Sequence, residues 1–159
     1  MSHSFVQYDQ ALTQSYFSIT YTLDATEQFV SAAYIAYDNG SFEYIDYDEY
    51  GQFGYEYVDV YYDANGRLDE TYVFYDNDTI QFIDYDELGS TPYFSSSYLY
   101  DPFGRVDTAY VVYDNGYDVY TDYDQAGAFG YSSVTYLYDP SDRVETSYYI
   151  QDNGQYLYF

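Results

Sequence analysis

The chain has 159 residues, enough for one domain with a sizeable core, and no cysteine, which excludes a disulfide framework and thiolate chemistry. Thirty tyrosines and eleven phenylalanines stand beside twenty-eight acids and three arginines, for a formal charge of −25. That charge repels phosphate, so nucleic acid and anionic lipid are disfavoured as partners and cations or basic proteins are favoured, while an aromatic fraction of 26% argues against disorder.

The N-terminal stretch Met1–Asp9 has neither a basic nor an apolar segment, so no cleavable signal is read there, and no apolar run approaches the 18 residues of a membrane helix. The terminal aromatic run Gln155–Phe159 is discounted as a barrel strand, because strands such as Glu56-Tyr57-Val58-Asp59 leave no clean lipid face. From Tyr37 onward the sequence repeats. Tyr37-Asp38-Asn39-Gly40, Tyr75-Asp76-Asn77-Asp78, Tyr113-Asp114-Asn115-Gly116 and Gln151-Asp152-Asn153-Gly154 recur every 38 residues, and the units beginning at Tyr75 and Tyr113 are identical at 18 of 38 positions. We read a single repeat domain over 1–159: a divergent N-terminal capping copy over 1–36, full units at 37–74, 75–112 and 113–150, and a partial unit at 151–159.

Each unit reads as three strands and no helix. The first is short (Phe42 to Tyr47, Ile80 to Tyr85, Asp118 to Tyr123). The second follows a glycine-bearing loop (Tyr55 to Tyr62, Tyr93 to Tyr100, Tyr131 to Tyr138). The third leaves an arginine turn (Arg67 to Tyr75, Arg105 to Tyr113, Arg143 to Ile150). Tyr, Val, Ile, Phe and Thr fill these runs and Asp, Asn, Gly and Pro fill the gaps. About thirteen all-β strands follow, as an open-ended β-solenoid or a twisted antiparallel strip. Three strands per unit would reverse equivalent strands in a meander. A coil avoids that reversal but stacks Asp38, Asp76, Asp114 and Asp152 about 4.8 Å apart, at roughly 1 kcal/mol of repulsion per neighbour in water. Both arrangements stay open.

The segments Tyr98-Leu99-Tyr100-Asp101-Pro102-Phe103-Gly104-Arg105-Val106 and Tyr62-Asp63-Ala64-Asn65-Gly66-Arg67-Leu68 resemble the YD repeats of Rhs and teneurin-like proteins. The resemblance lies at these turns; the third copy has Asp142 where Gly66 and Gly104 stand. It implies an all-β, extracellular or cell-surface repeat, and no catalytic role carries over.

Three groups of residues are candidates for sites. Arg67, Arg105 and Arg143 are expected to pair with the aspartates of their own turns, Asp63, Asp101 and Asp139. Asp46 with Asp48, Asp84 with Asp86 and Asp122 with Asp124 put carboxylates on alternate residues, hence one strand face, with hard oxygen ligands that suit Ca2+; solvated charge that blocks edge pairing is the plainer reading. Tyr55, Tyr93, Tyr131, Tyr72, Tyr110 and Tyr148 fall in columns that pack across strands or form a sticky surface for self-association or sugar stacking. Asn39-Gly40-Ser41 and Asn77-Asp78-Thr79 read as glycosylation acceptors on turn tips.

One histidine, no cysteine and no lysine leave no base-and-nucleophile arrangement to assemble, so the chain reads as no enzyme. The expectation is a structural or interaction protein that self-assembles as a fibre or surface layer, or docks on a protein partner. The alternative is a calcium-dependent adhesion or carbohydrate-binding module whose partner is a glycan. An acidic mimic of nucleic acid ranks third.

Overall fold

The computed structural model describes residues 3–10 and 14–159. Residues 1–2 and 11–13, part of the expected capping copy, lie outside the described residues. Contacts divide the chain into two compact units, Met1–Asp78 and Thr79–Phe159. The first holds β1 (Ser4–Tyr8), β2 (Tyr16–Leu23), β3 (Val30–Tyr37), β4 (Phe42–Tyr47), β5 (Tyr55–Tyr62) and β6 (Leu68–Tyr75). The second holds β7 (Ile80–Tyr85), β8 (Tyr93–Tyr100), β9 (Val106–Tyr113), β10 (Asp118–Tyr123), β11 (Tyr131–Tyr138), β12 (Val144–Gln151) and β13 (Tyr156–Tyr158). The described residues contain no helix, and so none long and apolar enough to cross a membrane.

Within each unit every strand pairs antiparallel with its neighbours in sequence. Of the two arrangements left open by the sequence, these registers are those of an antiparallel meander. The short first strands and the second strands have the expected bounds. The third strands begin one residue later than expected. Arg67, Arg105 and Arg143 belong to the turns, because their carbonyls accept the N–H of Asp63, Asp101 and Asp139 at 2.8, 2.9 and 2.8 Å.

Neither unit has a conventional core. Among the described residues the buried apolar side chains are Ala33 and Val134, each 3% exposed, and no large side chain is fully buried. Ala33 lies between Tyr21 and Ile45 in the register, and Val134 between Asp122 and Tyr149. Within a unit each strand contacts only the strands beside it, so burial comes sideways, from same-face neighbours 4.5–5.5 Å apart across the pleat. This is where tyrosine and phenylalanine serve. Rings stack across strands at Phe5–Tyr21 (4.9 Å between centroids), Phe42–Tyr62 (4.6 Å) and Tyr57–Phe74 (4.2 Å), each covering its partner where no second layer exists. A phenol leaves its polar tip in water, so both faces of a sheet can carry it.

The turns are tight and acid-capped. In the β8–β9 turn the Gly104 N–H reaches the Asp101 carbonyl at 2.9 Å, with Gly104 at φ +76° and open space around it. The β11–β12 turn closes the same way through Asp142, at φ +59°.

Candidate interaction surface

Each arginine is held inside its own turn. Asp63 Oδ1 accepts the backbone N–H of Asn65 and Arg67 at 2.8 and 2.9 Å, and its Oδ2 accepts Arg67 Nε at 2.8 Å. Asp101 takes the N–H of Phe103 and Arg105 at 2.9 Å each and Arg105 Nε at 2.8 Å; Asp139 takes Ser141, Arg143 and Arg143 Nε at 2.9, 3.1 and 2.9 Å. The N–H and guanidinium of Arg67 hold the Asp63 carboxyl well below the usual range. The aspartate is therefore the capping group and the arginine its partner. Asp101→Ala is expected to lower the melting midpoint of the second unit by roughly 5 °C, and Arg105→Ala by less, because two backbone N–H groups lose their acceptor only in the first case. Thermal melts followed by near-UV tyrosine dichroism separate the two.

The alternating aspartates divide between two tasks. Asp48, Asp86 and Asp124 turn into the loops that follow β4, β7 and β10, accepting backbone N–H from Phe53 (2.6 Å), Ser90 and Thr91 (2.8 and 2.6 Å), and Ala128 and Phe129 (2.9 and 2.6 Å). Asp46, Asp84 and Asp122 stay on the sheet and accept the hydroxyls of Tyr55, Tyr93 and Tyr131 at 3.4, 2.9 and 3.3 Å. Backbone bonds from Ala128 and Phe129 hold the pKa of Asp124 below the usual carboxylate value, and those from Thr91 and Ser90 do the same for Asp86. The strand ends at Tyr47, Tyr85 and Tyr123 thus separate the paired carboxylates, which the expected shared strand face would have kept together. Among the described residues no group of three or more His, Asp or Glu is placed to hold a metal ion.

The tyrosine columns are placed unequally. Tyr55, Tyr93 and Tyr131 are half-buried and tied to the aspartates just named, and Tyr72 donates to Glu70 at 3.2 Å. Tyr110 and Tyr148 are exposed; Tyr110 donates to Asp118 at 2.6 Å, and the Tyr148 ring lies 6.0 Å from Tyr158. Phenylalanines of loops and turns outside those columns are far more exposed than Tyr110 and Tyr148: Phe53 (71%), Phe129 (72%) and Phe103 (83%). Phe53 and Phe129 stack on Tyr55 and Tyr131 with centroids 5.8 Å apart and planes within 14°.

Two further features of the first unit escape the pattern reading. Asp24 binds Thr26 Oγ1 at 2.6 Å and the Tyr50 hydroxyl, joining the β2–β3 and β4–β5 loops, and these bonds depress its pKa. Glu43 on β4 and Asp59 on β5 are 5% and 9% exposed on one face, since Glu43 opposes Tyr61 and Ile45 opposes Asp59. The Tyr37 hydroxyl donates to Glu43, whereas Asp59 Oδ1 has no partner. Burial, then the Glu43 charge, pushes Asp59 up to about 7. The sequence signal lies only in the repeat: 38 residues on, the two positions are Gln81 and Ser97, a neutral pair bonded at 3.0 Å.

The outermost strands carry the third surface. Among the described residues β1 pairs only with β2 and β13 only with β12, and every residue of both is exposed. The Leu23 N–H to His3 carbonyl bond (2.8 Å) and the Asp9 N–H to Phe17 carbonyl bond (3.2 Å) fix the phase of β1, so the N–H groups of Phe5 and Gln7 face β2 while those of Ser4, Val6 and Tyr8 face away. Reciprocal 2.9 Å bonds between Ser147 and Phe159 likewise turn the Leu157 N–H inward and those of Tyr156 and Tyr158 outward. The fold and these surfaces define an open antiparallel β-protein, Tyr-rich on both faces and with an aromatic strand at each terminus. No family model matches the chain, and no curated protein matches it.

Proposed function

We propose that this is a non-catalytic structural protein that associates with copies of itself through its terminal strands and exposed aromatic rings, with the 38-residue, three-strand unit as its building block. The observation that carries this reading is the state of β1 and β13. Both leave backbone N–H groups directed outward beside exposed Phe5, Val6, Tyr8, Tyr156, Tyr158 and Phe159, the combination that adds a strand from another chain. The Tyr-Asp-x-x-Gly-Arg turns support the likeness to YD repeats and, with it, a place outside the cell or on its surface. The opposing force is electrostatic. Copies carrying −25 repel one another, and 0.15 M salt screens that repulsion beyond about 8 Å, so association strengthens with salt. Light scattering on the pure chain from about 1 to 100 μM in 0.15 and 0.5 M NaCl is expected to give a mass that rises above 18.7 kDa with both concentration and salt. A constant 18.7 kDa throughout would overturn the reading.

A further inference from the structure

The second unit contains a hollow of about 330 Å3 lined by Tyr110, Asp118, Tyr120, Tyr138 and Asp142. The sheet builds most of it. Tyr110 on β9 opposes Tyr120 on β10, and Asp118, two residues before Tyr120, opposes Tyr138 on β11, so three rings and one carboxylate share a face. Asp142 comes from the β11–β12 turn. Its carboxylate charge acts on the Tyr110 hydroxyl, whose pKa is pushed up to about 12 by the Asp118 hydrogen bond, burial and the charges of Asp118 and Asp142.

Neither carboxylate is needed by the fold. The Asp118 position is occupied 38 and 76 residues earlier by Ile80 and Phe42, so an apolar side chain satisfies the strand there. The Asp142 position is held by Gly66 and Gly104 in the two corresponding turns, at φ +77° and +76°, and those turns close with the same hydrogen bond. Asp142 adopts φ +59°, a left-handed conformation that glycine would take more cheaply. Two charges have thus entered a tyrosine-lined hollow at positions where packing and turn geometry ask for none. No cation lines it, and neighbouring Arg143 is bound to Asp139 through Nε and Nη2 at 2.9 and 2.6 Å.

We propose that this hollow binds an alkylammonium group, with the cation among the rings of Tyr110, Tyr120 and Tyr138 and its charge met by Asp118 and Asp142. Aromatic faces attract a cation through their quadrupole, and partial desolvation strengthens the attraction. A volume of 330 Å3 is at the small end of ligand sites and suits a head group rather than a whole oligosaccharide. Two carboxylates without further ligands do not meet the six to eight oxygens that calcium takes. The site is independent of self-association, since a monomer would carry it intact.

Tyrosine ring resonances of the full chain, titrated with tetramethylammonium chloride and separately with a capped Gly-Gly-Lys-Gly-Gly peptide against sodium chloride at matched ionic strength, test the proposal. Saturable shifts of Tyr110, Tyr120 and Tyr138 are expected with either cation and not with sodium. Shifts with both identify the ammonium head as what is read; shifts with the peptide alone identify lysine side chains, and with the free cation alone a small amine. Asp142→Gly is expected to weaken binding about fivefold or more while raising the melting midpoint, so its loss cannot be ascribed to unfolding. Asp118→Ile, which restores the Ile80 pattern, is expected to weaken it similarly. Absence of a saturable shift with either cation, equal shifts with sodium, or unchanged binding in both variants would overturn the proposal.

Discussion

Asp59→Ser is expected to stabilise the first unit at pH 8 by about 2 to 4 kcal/mol while changing it little at pH 3.5. Asp59 is 9% exposed, its Oδ1 has no partner, and no cation faces it. The groups around it are Glu43 from β4, Tyr61 of its own strand, Tyr72 opposite on β6, and Tyr37 at the end of β3. The Glu43 charge opposes a second one on Asp59, the Tyr61 hydrogen bond offsets only a little of this, and burial first, then the nearby carboxylates, raises the pKa of Tyr61 and Tyr37. The folded value of about 7 lies above the ordinary 3.8, so between these limits the folded chain holds a proton that the unfolded chain has lost. Stability therefore falls as pH rises from about 4 to about 7, and the deficit persists above. The capping aspartates act with the opposite sign and in another window. Asp63, Asp86 and Asp124 have depressed values, so their contribution is full above about pH 4 and lost as pH falls further. Urea titrations from pH 3 to 9 should place maximal stability of the first unit near pH 4–5. Equal stability at pH 5 and pH 8 would contradict the buried, uncompensated carboxylate.

The second large effect concerns the edges. Tyr158→Pro and Val6→Pro each delete an N–H that faces away from the sheet, so the bonds to β12 and β2 survive. If those edges join copies, the pair of substitutions should weaken association on the order of a hundredfold, through lost bonds and a ring that obstructs the incoming strand. Leu157→Pro makes the contrast. Its N–H faces β12, so the substitution detaches β13 and lowers stability as well. Light scattering and thermal melts on the three variants distinguish loss of an interface from loss of a strand. Undiminished association in Tyr158→Pro/Val6→Pro would move the interface from the edges to the aromatic faces.

Strands and turns were legible because local chemistry decides them. Tyr, Val and Ile runs punctuated by Asp-Asn-Gly and Asp-x-x-Gly-Arg specify where extension stops, as Tyr37–Ser41 and Asp63–Arg67 illustrate, and the shorter first strands came out within their expected bounds. Direction of pairing was not legible, since a three-strand period fits a coil or a meander equally well and only long-range register separates them. The acids were harder still. Asp46 and Asp48 look alike in sequence, yet the strand end after Tyr47 lets Asp48 fold back onto the Phe53 N–H while Asp46 remains beside Tyr55. Glu43 and Asp59 are sixteen residues apart and meet only through the β4–β5 register, so nothing in either segment marks them as a buried pair. The same holds for the Tyr110–Asp118–Tyr138 hollow, which three strands assemble.

Amide hydrogen exchange at two protein concentrations, about 5 and 500 μM in 0.5 M NaCl, tests edge-to-edge association most directly. The outward N–H groups of Val6, Tyr8, Tyr156 and Tyr158 should exchange fast in the dilute sample and slow markedly in the concentrated one, while the inward N–H groups of Phe5 and Leu157 change much less. Fast exchange of the outward group at both concentrations, in a sample whose mass has risen, would show that copies meet elsewhere and would contradict pairing through the terminal strands.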